Sequence, residues 1–142
     1  MTDQTRSGKF RAEAGYSSEE LIAIYELGRL YFEMGYFAPA ERIFSGLLSI
    51  DPNMTPARLG LGLLKLELGL YQDATAHFRQ ALQNNVYEAQ SKLGLCAAFL
   101  ATGEKARAAS LLAEVGKATD AGQPLDSETK RLFDAFVVRC QT

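Results

Sequence analysis

The sequence is poor in the residues that most catalytic and metal sites require. It contains one histidine, His77, and two cysteines, Cys96 and Cys140. Two cysteines this far apart do not make a disulfide framework, and a single histidine cannot supply a metal cage. The phosphate-binding sequence GxxxxGK[ST], the zinc-binding sequence HExxH and the pair CxxC are all missing. We therefore expect no catalytic residues, no bound metal, no cofactor and no enzyme activity.

The chain also lacks a strong net charge and a long apolar run. Lysine and arginine total 15 against 17 aspartate and glutamate residues, which gives a formal net charge of -2. This balance offers no electrostatic reason to bind nucleic acid or an anionic membrane. No stretch approaches the roughly 20 apolar residues of a membrane span, and the N-terminus has no apolar core of a secretory signal. These absences predict a reduced, cytoplasmic protein with no membrane span.

What the sequence does contain is an internal repeat. Glycines, alanines, leucines, bulky apolar residues and small residues each recur at one common spacing, the step from Gly35 to Gly69. The sets in register are Gly35, Gly69 and Gly103; Ala40, Ala74 and Ala108; Leu27, Leu61 and Leu95; Phe44, Phe78 and Leu112; and Gly28, Gly62 and Cys96. Five sets that share one register predict a repeat architecture.

The repeat resembles the tetratricopeptide-repeat (TPR) family. The segments that carry the resemblance are Leu27-Gly28-x-x-Tyr31, Ala40-x-x-x-Phe44, Pro52, Leu61-Gly62 and Ala74-x-x-x-Phe78-x-x-Ala81. The resemblance implies an all-α fold, a TPR superhelix of three helix-turn-helix repeats. The expected boundaries are a flexible segment 1–16 and one domain 17–140, with repeats 21–54, 55–88 and 89–122 and a C-terminal capping helix 127–140.

Local signals predict where several helices begin and end. Ser17 and Glu20 have the spacing of a capping box, and Thr55 followed by Pro56 is typical of an N-cap and a first helical residue. Asp51 before Pro52 should end the preceding helix, and the glycines of the 35, 69, 103 set should end the first helix of each repeat. We expect His77 to be an ordinary surface residue and Cys96 a buried packing thiol.

In a TPR stack the first helix of each repeat lines the concave side, and this implies a candidate peptide-binding groove. Its lining positions are Ile22, Tyr25, Arg29, Phe32, Leu59, Leu63, Leu66, Glu67, Leu93, Ala97 and Leu100. Most of them are apolar, although the repeat core is already built by the periodic residues. An apolar groove of this size exceeds what a monomer usually exposes. We therefore predict that the groove binds an apolar segment of another polypeptide.

Two further features of the groove leave alternatives open. Gly60 and Gly94 lie in the middle of helices, where glycine costs about 1 kcal/mol relative to alanine. Either a ligand backbone approaches closely there, or the glycines serve helix packing. The groove itself could instead be filled by the C-terminal helix, or two copies of the chain could bury their grooves against each other.

Within the TPR family, the chain resembles the chaperones of bacterial type III secretion that hold translocators or needle subunits. The similar segments are Leu59-Gly60-Leu61-Gly62, Leu68-Gly69-Leu70-Tyr71-x-x-Ala74 and Cys96-Ala97-Ala98-Phe99-Leu100. The resemblance implies a cytosolic chaperone whose partner is a secreted or assembly protein with an apolar segment. The alternative is a structural adaptor, a TPR subunit of a larger assembly or a homodimer. Only Arg29 is basic in the groove, which disfavours the TPR role of gripping a C-terminal carboxylate.

Overall fold

The computed structural model describes residues 15–142, and this range is all-helical as predicted. The α-helices are α1 (Ser18–Glu33), α2 (Phe37–Ile50), α3 (Thr55–Glu67), α4 (Tyr71–Ala81), α5 (Glu88–Ala101), α6 (Lys105–Asp120) and α7 (Ser127–Gln141), with a 3₁₀ turn at Asn85–Tyr87 before α5. Residues 1–14 of the predicted flexible segment 1–16 lie outside the described residues.

The helix boundaries follow most of the local signals in the sequence. Ser17 caps α1, because its side chain accepts a hydrogen bond from the Glu20 amide at 3.1 Å while the Glu20 carboxylate accepts one from the Ser17 amide. Gly35, Gly69 and Gly103 follow the first helix of each repeat with φ of +83°, +75° and +81°. Such left-handed conformations favour glycine because it has no Cβ atom. The predicted capping box and the three glycine stops are confirmed.

The start of α3 differs from the prediction. Thr55 is the first residue of the helix, and Met54 occupies the N-cap position without a side-chain hydrogen bond. The Thr55 hydroxyl instead accepts a hydrogen bond from the side-chain amide of Asn84 at 3.1 Å. The Thr55 side chain, which the local sequence predicted as the cap of α3, therefore makes a tertiary contact with the end of the same repeat.

The helices pair as α1 with α2, α3 with α4 and α5 with α6, and successive pairs stack on one another. The first helices of neighbouring repeats also touch, α1 with α3 and α3 with α5. The second helices, α2, α4 and α6, make no comparable contacts with each other. A stack whose first helices are close together and whose second helices are spread apart curves with the first helices inside. The predicted TPR superhelix is confirmed.

Two phenylalanines wedge the repeats together, and glycines make room for them. The Phe44 ring lies between Gly28 of its own repeat and Gly60 of the next, and a Cβ atom on either glycine would come within 2.8 Å of the ring. Phe78 occupies the equivalent place between Gly62 and Gly94. Both rings are fully buried. Any larger residue at these four glycine positions would place its Cβ atom against a core aromatic ring.

Helix α7 covers the last repeat. It packs against α5 and α6, and Phe136 is buried there in one hydrophobic cluster with Phe99 and Leu112. Its N-cap is Asp126, whose carboxylate accepts a hydrogen bond from the Thr129 amide at 2.8 Å. Of the two places that the sequence left open for the C-terminal helix, the structure has the cap at the end of the stack. A TPR stack needs such a helix because its last repeat would otherwise expose an apolar face.

The two cysteines and the single histidine are at least partly buried. Burial raises the pKa of Cys96 to about 12, and its thiol lies 3.8 Å from the Ala108 carbonyl, which confirms the prediction of a packing thiol. His77 corrects the prediction of an ordinary surface residue. It is half-buried, and its Nδ1 atom is buried with no hydrogen-bond partner among the described residues. Burial and the nearby cations Arg58 and Lys65 lower the pKa of His77.

Candidate peptide-binding groove

The inner faces of α1, α3 and α5 form the concave side of the stack, and most predicted groove residues have part of their surface there. Ile22 is 57% exposed and Leu63 is 44% exposed, which is high for large aliphatic side chains. Six apolar members are half-buried, namely Tyr25, Phe32, Leu59, Leu66, Ala97 and Leu100. The two charged members, Arg29 and Glu67, are exposed. The groove therefore presents apolar side chains that are held by the core and still reach solvent.

Two aromatic rings of α1 are fixed from behind by rings of α2. The centroids of Tyr25 and Phe44 are 5.9 Å apart, and those of Phe32 and Phe37 are 5.6 Å apart. Tilted pairs at this distance stabilise each other. Burial raises the pKa of Tyr25, so its hydroxyl stays neutral and can donate a hydrogen bond. These rings can offer rigid contact area with little loss of side-chain entropy on binding.

The charged residues of the groove do not make a carboxylate clamp. Arg29 is engaged within its own helix by Glu33 at 3.1 Å and by Glu26 at 3.5 Å. The hydrogen bond to Glu33 raises the pKa of Arg29. Both ion pairs are exposed, and the guanidinium is shared between two carboxylates of its own helix rather than joined by further basic groove residues into a clamp. This arrangement agrees with the sequence argument against a grip on a C-terminal carboxylate.

The structure corrects the prediction for Leu93. This residue is 1% exposed and belongs to the hydrophobic cluster of Phe78 and Phe99, so it is not presented to a ligand in the groove. Tyr25 and Leu59, which hold the same position in the first two repeats, are half-buried. Repeat register places all three on the inner helix, but only tertiary packing distinguishes them.

Gly60 and Gly94 make room for core side chains rather than for a ligand. The space that a side chain would fill at these positions holds the rings of Phe44 and Phe78. Gly94 is itself buried. Of the two alternatives that the sequence left open, the structure favours helix packing over the close approach of a ligand backbone.

Tyr87 is a neighbour of the groove that the repeat pattern does not identify. It ends the 3₁₀ turn before α5, and it lies near enough to Tyr25 to add to the rise in the pKa of that hydroxyl. Tyr87 is half-buried and belongs to none of the five periodic sets. Because its nearness to Tyr25 depends on how the third repeat stacks on the others, no sequence signal pointed to it.

Over residues 15–142, no group of three or more histidine, cysteine, aspartate or glutamate side chains is arranged to hold a metal ion. In the same range, no helix combines the length and the apolar character that crossing a bilayer requires.

A tetratricopeptide-repeat family model matches residues 22–54. Among solved structures, the type III secretion translocator chaperone SycD of Yersinia enterocolitica has a TM-score of 0.79 and 23% identity, covering 93% of this chain and 96% of SycD. PcrH of Pseudomonas aeruginosa has a TM-score of 0.75 and 24% identity, covering 89% of this chain and 95% of PcrH.

A further structure shows SycD in complex with a peptide of the translocator YopD. It matches with a TM-score of 0.68 and 23% identity, covering 87% of this chain and 96% of that one. These identities are low, so the likeness concerns the fold. The chain contains a tetratricopeptide repeat at residues 22–54, and its fold is the TPR superhelix that is also found in the type III secretion translocator chaperone SycD.

Proposed function

We propose that this protein is a non-catalytic, cytoplasmic chaperone of type III secretion that holds a hydrophobic or amphipathic client segment in its concave groove. The observation that carries the proposal is the row of partly exposed apolar side chains on the inner helices. Ile22 and Leu63 have about half of their surfaces in contact with solvent. Side chains of this kind are usually covered by a partner when they form a continuous surface.

The contacts proposed for the client follow from exposure. Those on α1 are Ile22, Tyr25, Arg29 and Phe32; those on α3 are Leu59, Leu63, Leu66 and Glu67; those on α5 are Ala97 and Leu100. Covering apolar surface contributes about 25 cal/mol per Å² before ordering costs are subtracted. Arg29 and Glu67 lie beside the apolar residues and would orient the bound segment. Such a groove accepts an extended segment or one face of an amphipathic helix.

The likeness to SycD supports the proposal, because that protein was crystallised with a peptide of a translocator. Binding in the groove would keep the apolar segment of a client away from other copies of the client. This would prevent the client from aggregating before export.

The proposal can be tested with Leu63→Glu. A charge at this half-exposed position should weaken client binding by at least about tenfold, since an unpaired carboxylate would have to be buried against an apolar segment. Tagged wild type and variant are used as baits in the native cells, and bound proteins are identified by mass spectrometry. Val138→Glu is the matched control, because Val138 is also exposed and apolar but lies on α7.

The outcomes separate the proposal from its alternative. One apolar secreted protein, bound by wild type and by Val138→Glu but lost with Leu63→Glu, supports the groove as the site of a chaperone. Recovery of the same large assembly with all three baits would contradict it. That result would favour a structural adaptor that binds through its convex side or through α7.

A further inference from the structure

The side of α1 that faces the N-terminal end of the stack carries an apolar stripe that no described element covers. Ala23, Leu27, Leu30 and Met34 follow one another at alternating i,i+4 and i,i+3 spacing, which places them on one side of the helix. Leu27 is 46% exposed, Leu30 is 51% exposed and Met34 is 57% exposed. The groove residues Ile22 and Arg29 project from a different side of α1, so this stripe is a second surface, distinct from the groove.

The repeat register shows what kind of surface the stripe is. The residues of α3 that correspond to Ala23, Leu27 and Leu30 are Ala57, Leu61 and Leu64, and all three are buried. They share a hydrophobic cluster with Ala40, Phe44 and Leu47 of α2, the second helix of the preceding repeat. The corresponding residues of α5 are Ser91, Leu95 and Ala98, which are buried as well. These three positions are therefore the ones that receive a preceding segment in the second and third repeats.

The segment that precedes α1 in the chain is residues 1–14, and its sequence continues the register at one position. Phe10 precedes Phe44 by the same step that separates Phe44 from Phe78. The other repeat positions in this segment are unmatched, since Arg6 stands where the set of Ala40 and Ala74 would continue. The sequence thus supplies one aromatic anchor rather than another complete repeat.

Charge and length also match this segment to α1. Residues 1–14 contain the basic Arg6, Lys9 and Arg11 against two acidic residues, whereas α1 contains four glutamates against one arginine. Opposite charges favour association and fix orientation. Fourteen residues span at most about 50 Å when extended, and a 16-residue helix is about 24 Å long. The segment joins α1 at its N-terminus and can therefore reach the whole stripe.

We propose that residues 1–14 of the same chain bind to the exposed stripe of α1, with Phe10 as the apolar anchor on Leu27 and Leu30. Glu26 stands where Gly60 and Gly94 stand in the next two repeats. The space that a glycine leaves for an aromatic ring in the next two repeats is therefore missing on α1, and we infer that the Phe10 ring packs on the leucines instead. The basic residues of the segment would then lie near the glutamates of α1.

A double-mutant cycle on the full-length protein tests this contact. Phe10→Ala and Leu30→Ala are made singly and together, and the midpoint of thermal unfolding is measured for each. If the two side chains touch, the double variant should lose less than the sum of the two single losses. The matched control is Val138→Ala combined with Phe10→Ala, because Val138 is similarly exposed but lies on α7 at the far end of the stack. This control pair should be additive.

Sedimentation of the same proteins over a range of concentrations identifies the occupant. Non-additivity between Phe10 and Leu30 in a protein of monomer mass, independent of concentration, supports binding within one chain. Additive losses would overturn the proposal. Non-additivity that appears only with a doubled mass would also overturn it, since the stripe would then be covered by a second copy. Loss of a bound cellular protein in Leu30→Ala but not in Phe10→Ala would assign the stripe to an external partner.

Discussion

At the C-terminal end of the stack, α7 buries Phe136 against α5 and α6, whereas at the N-terminal end about half of the Leu30 surface remains exposed on α1. Both ends have the same physical requirement, because each terminal repeat has an apolar face that a further repeat would cover. At the C-terminal end the amphipathic helix α7 covers this face. On α1, no part of residues 15–142 does so.

The difference between the ends shows why a repeat pattern alone gives an incomplete description. The periodic residues specify the contacts between neighbouring repeats, and they are satisfied wherever a neighbour exists. At an end, the same residues become a surface whose cover must come from a sequence without the period. Residues 127–140 were recognisable from their apolar spacing as a candidate for such a cover, while residues 1–14 offer only Phe10 in register.

The largest effect is expected at the joint between two repeats, away from both ends. Phe78→Ala should lower the free energy of unfolding by about 3 to 5 kcal/mol, because it leaves a cavity between Gly62 and Gly94. Urea denaturation measures the change. Thr75→Ala on the same helix is the control and should have a much smaller effect, since this half-buried side chain only bonds to the Gln72 carbonyl. Equal losses would show that the wedge does not hold the joint.

A smaller effect is expected at the covered end. Phe136→Ala should cost about 3 kcal/mol, the lower part of the range for a buried phenylalanine, because the terminal helix can partly settle into the space. Leu132→Ala, in the same helix but 44% exposed, should cost about 1 kcal/mol or less. Thermal unfolding and hydrogen exchange of α5 and α6 give the two readouts. If Phe136→Ala leaves the exchange of these helices unchanged, α7 does not protect the last repeat.

The smallest effect concerns pH and distinguishes the second repeat, which contains His77, from both ends. The pKa of His77 lies below its ordinary value of 6.5, chiefly because of burial, with Arg58 and Lys65 adding to the decrease. Asp73 and Glu41 face it as well and oppose the decrease. Below about pH 6.5 the unfolded chain binds a proton that the folded chain resists, so stability falls as pH decreases through this window.

His77→Gln should remove this contribution while keeping a polar side chain of similar reach. Wild type is therefore expected to lose more stability than the variant between about pH 7 and about pH 5.5, as measured by urea denaturation at each pH. Hydrogen exchange should show the additional opening in α3 and α4 and not in α7. Parallel pH dependence of the two proteins would mean that other groups dominate the acid response.

Much of this fold could be predicted because a short period carries strong physical constraints. The repeat step places Phe44 and Phe78 at equivalent joints, and glycine at positions 35, 69 and 103 ends helices whatever surrounds them. The candidate groove was harder to predict, since it is formed by residues that the period leaves free to vary. Tyr87 was missed for this reason, and Leu93 was placed on a surface although it is buried.

By itself, the sequence determined the helical repeats, their number and the ends of most helices. These properties depend on residues within about one repeat of each other, where spacing, capping and glycine conformation act locally. Only the tertiary structure decided that Gly60 and Gly94 admit aromatic rings, that Thr55 bonds to Asn84 rather than caps α3, and that α7 covers the last repeat. These outcomes depend on which side chains meet across helices, and close packing, unlike periodicity, is a property of the assembled molecule.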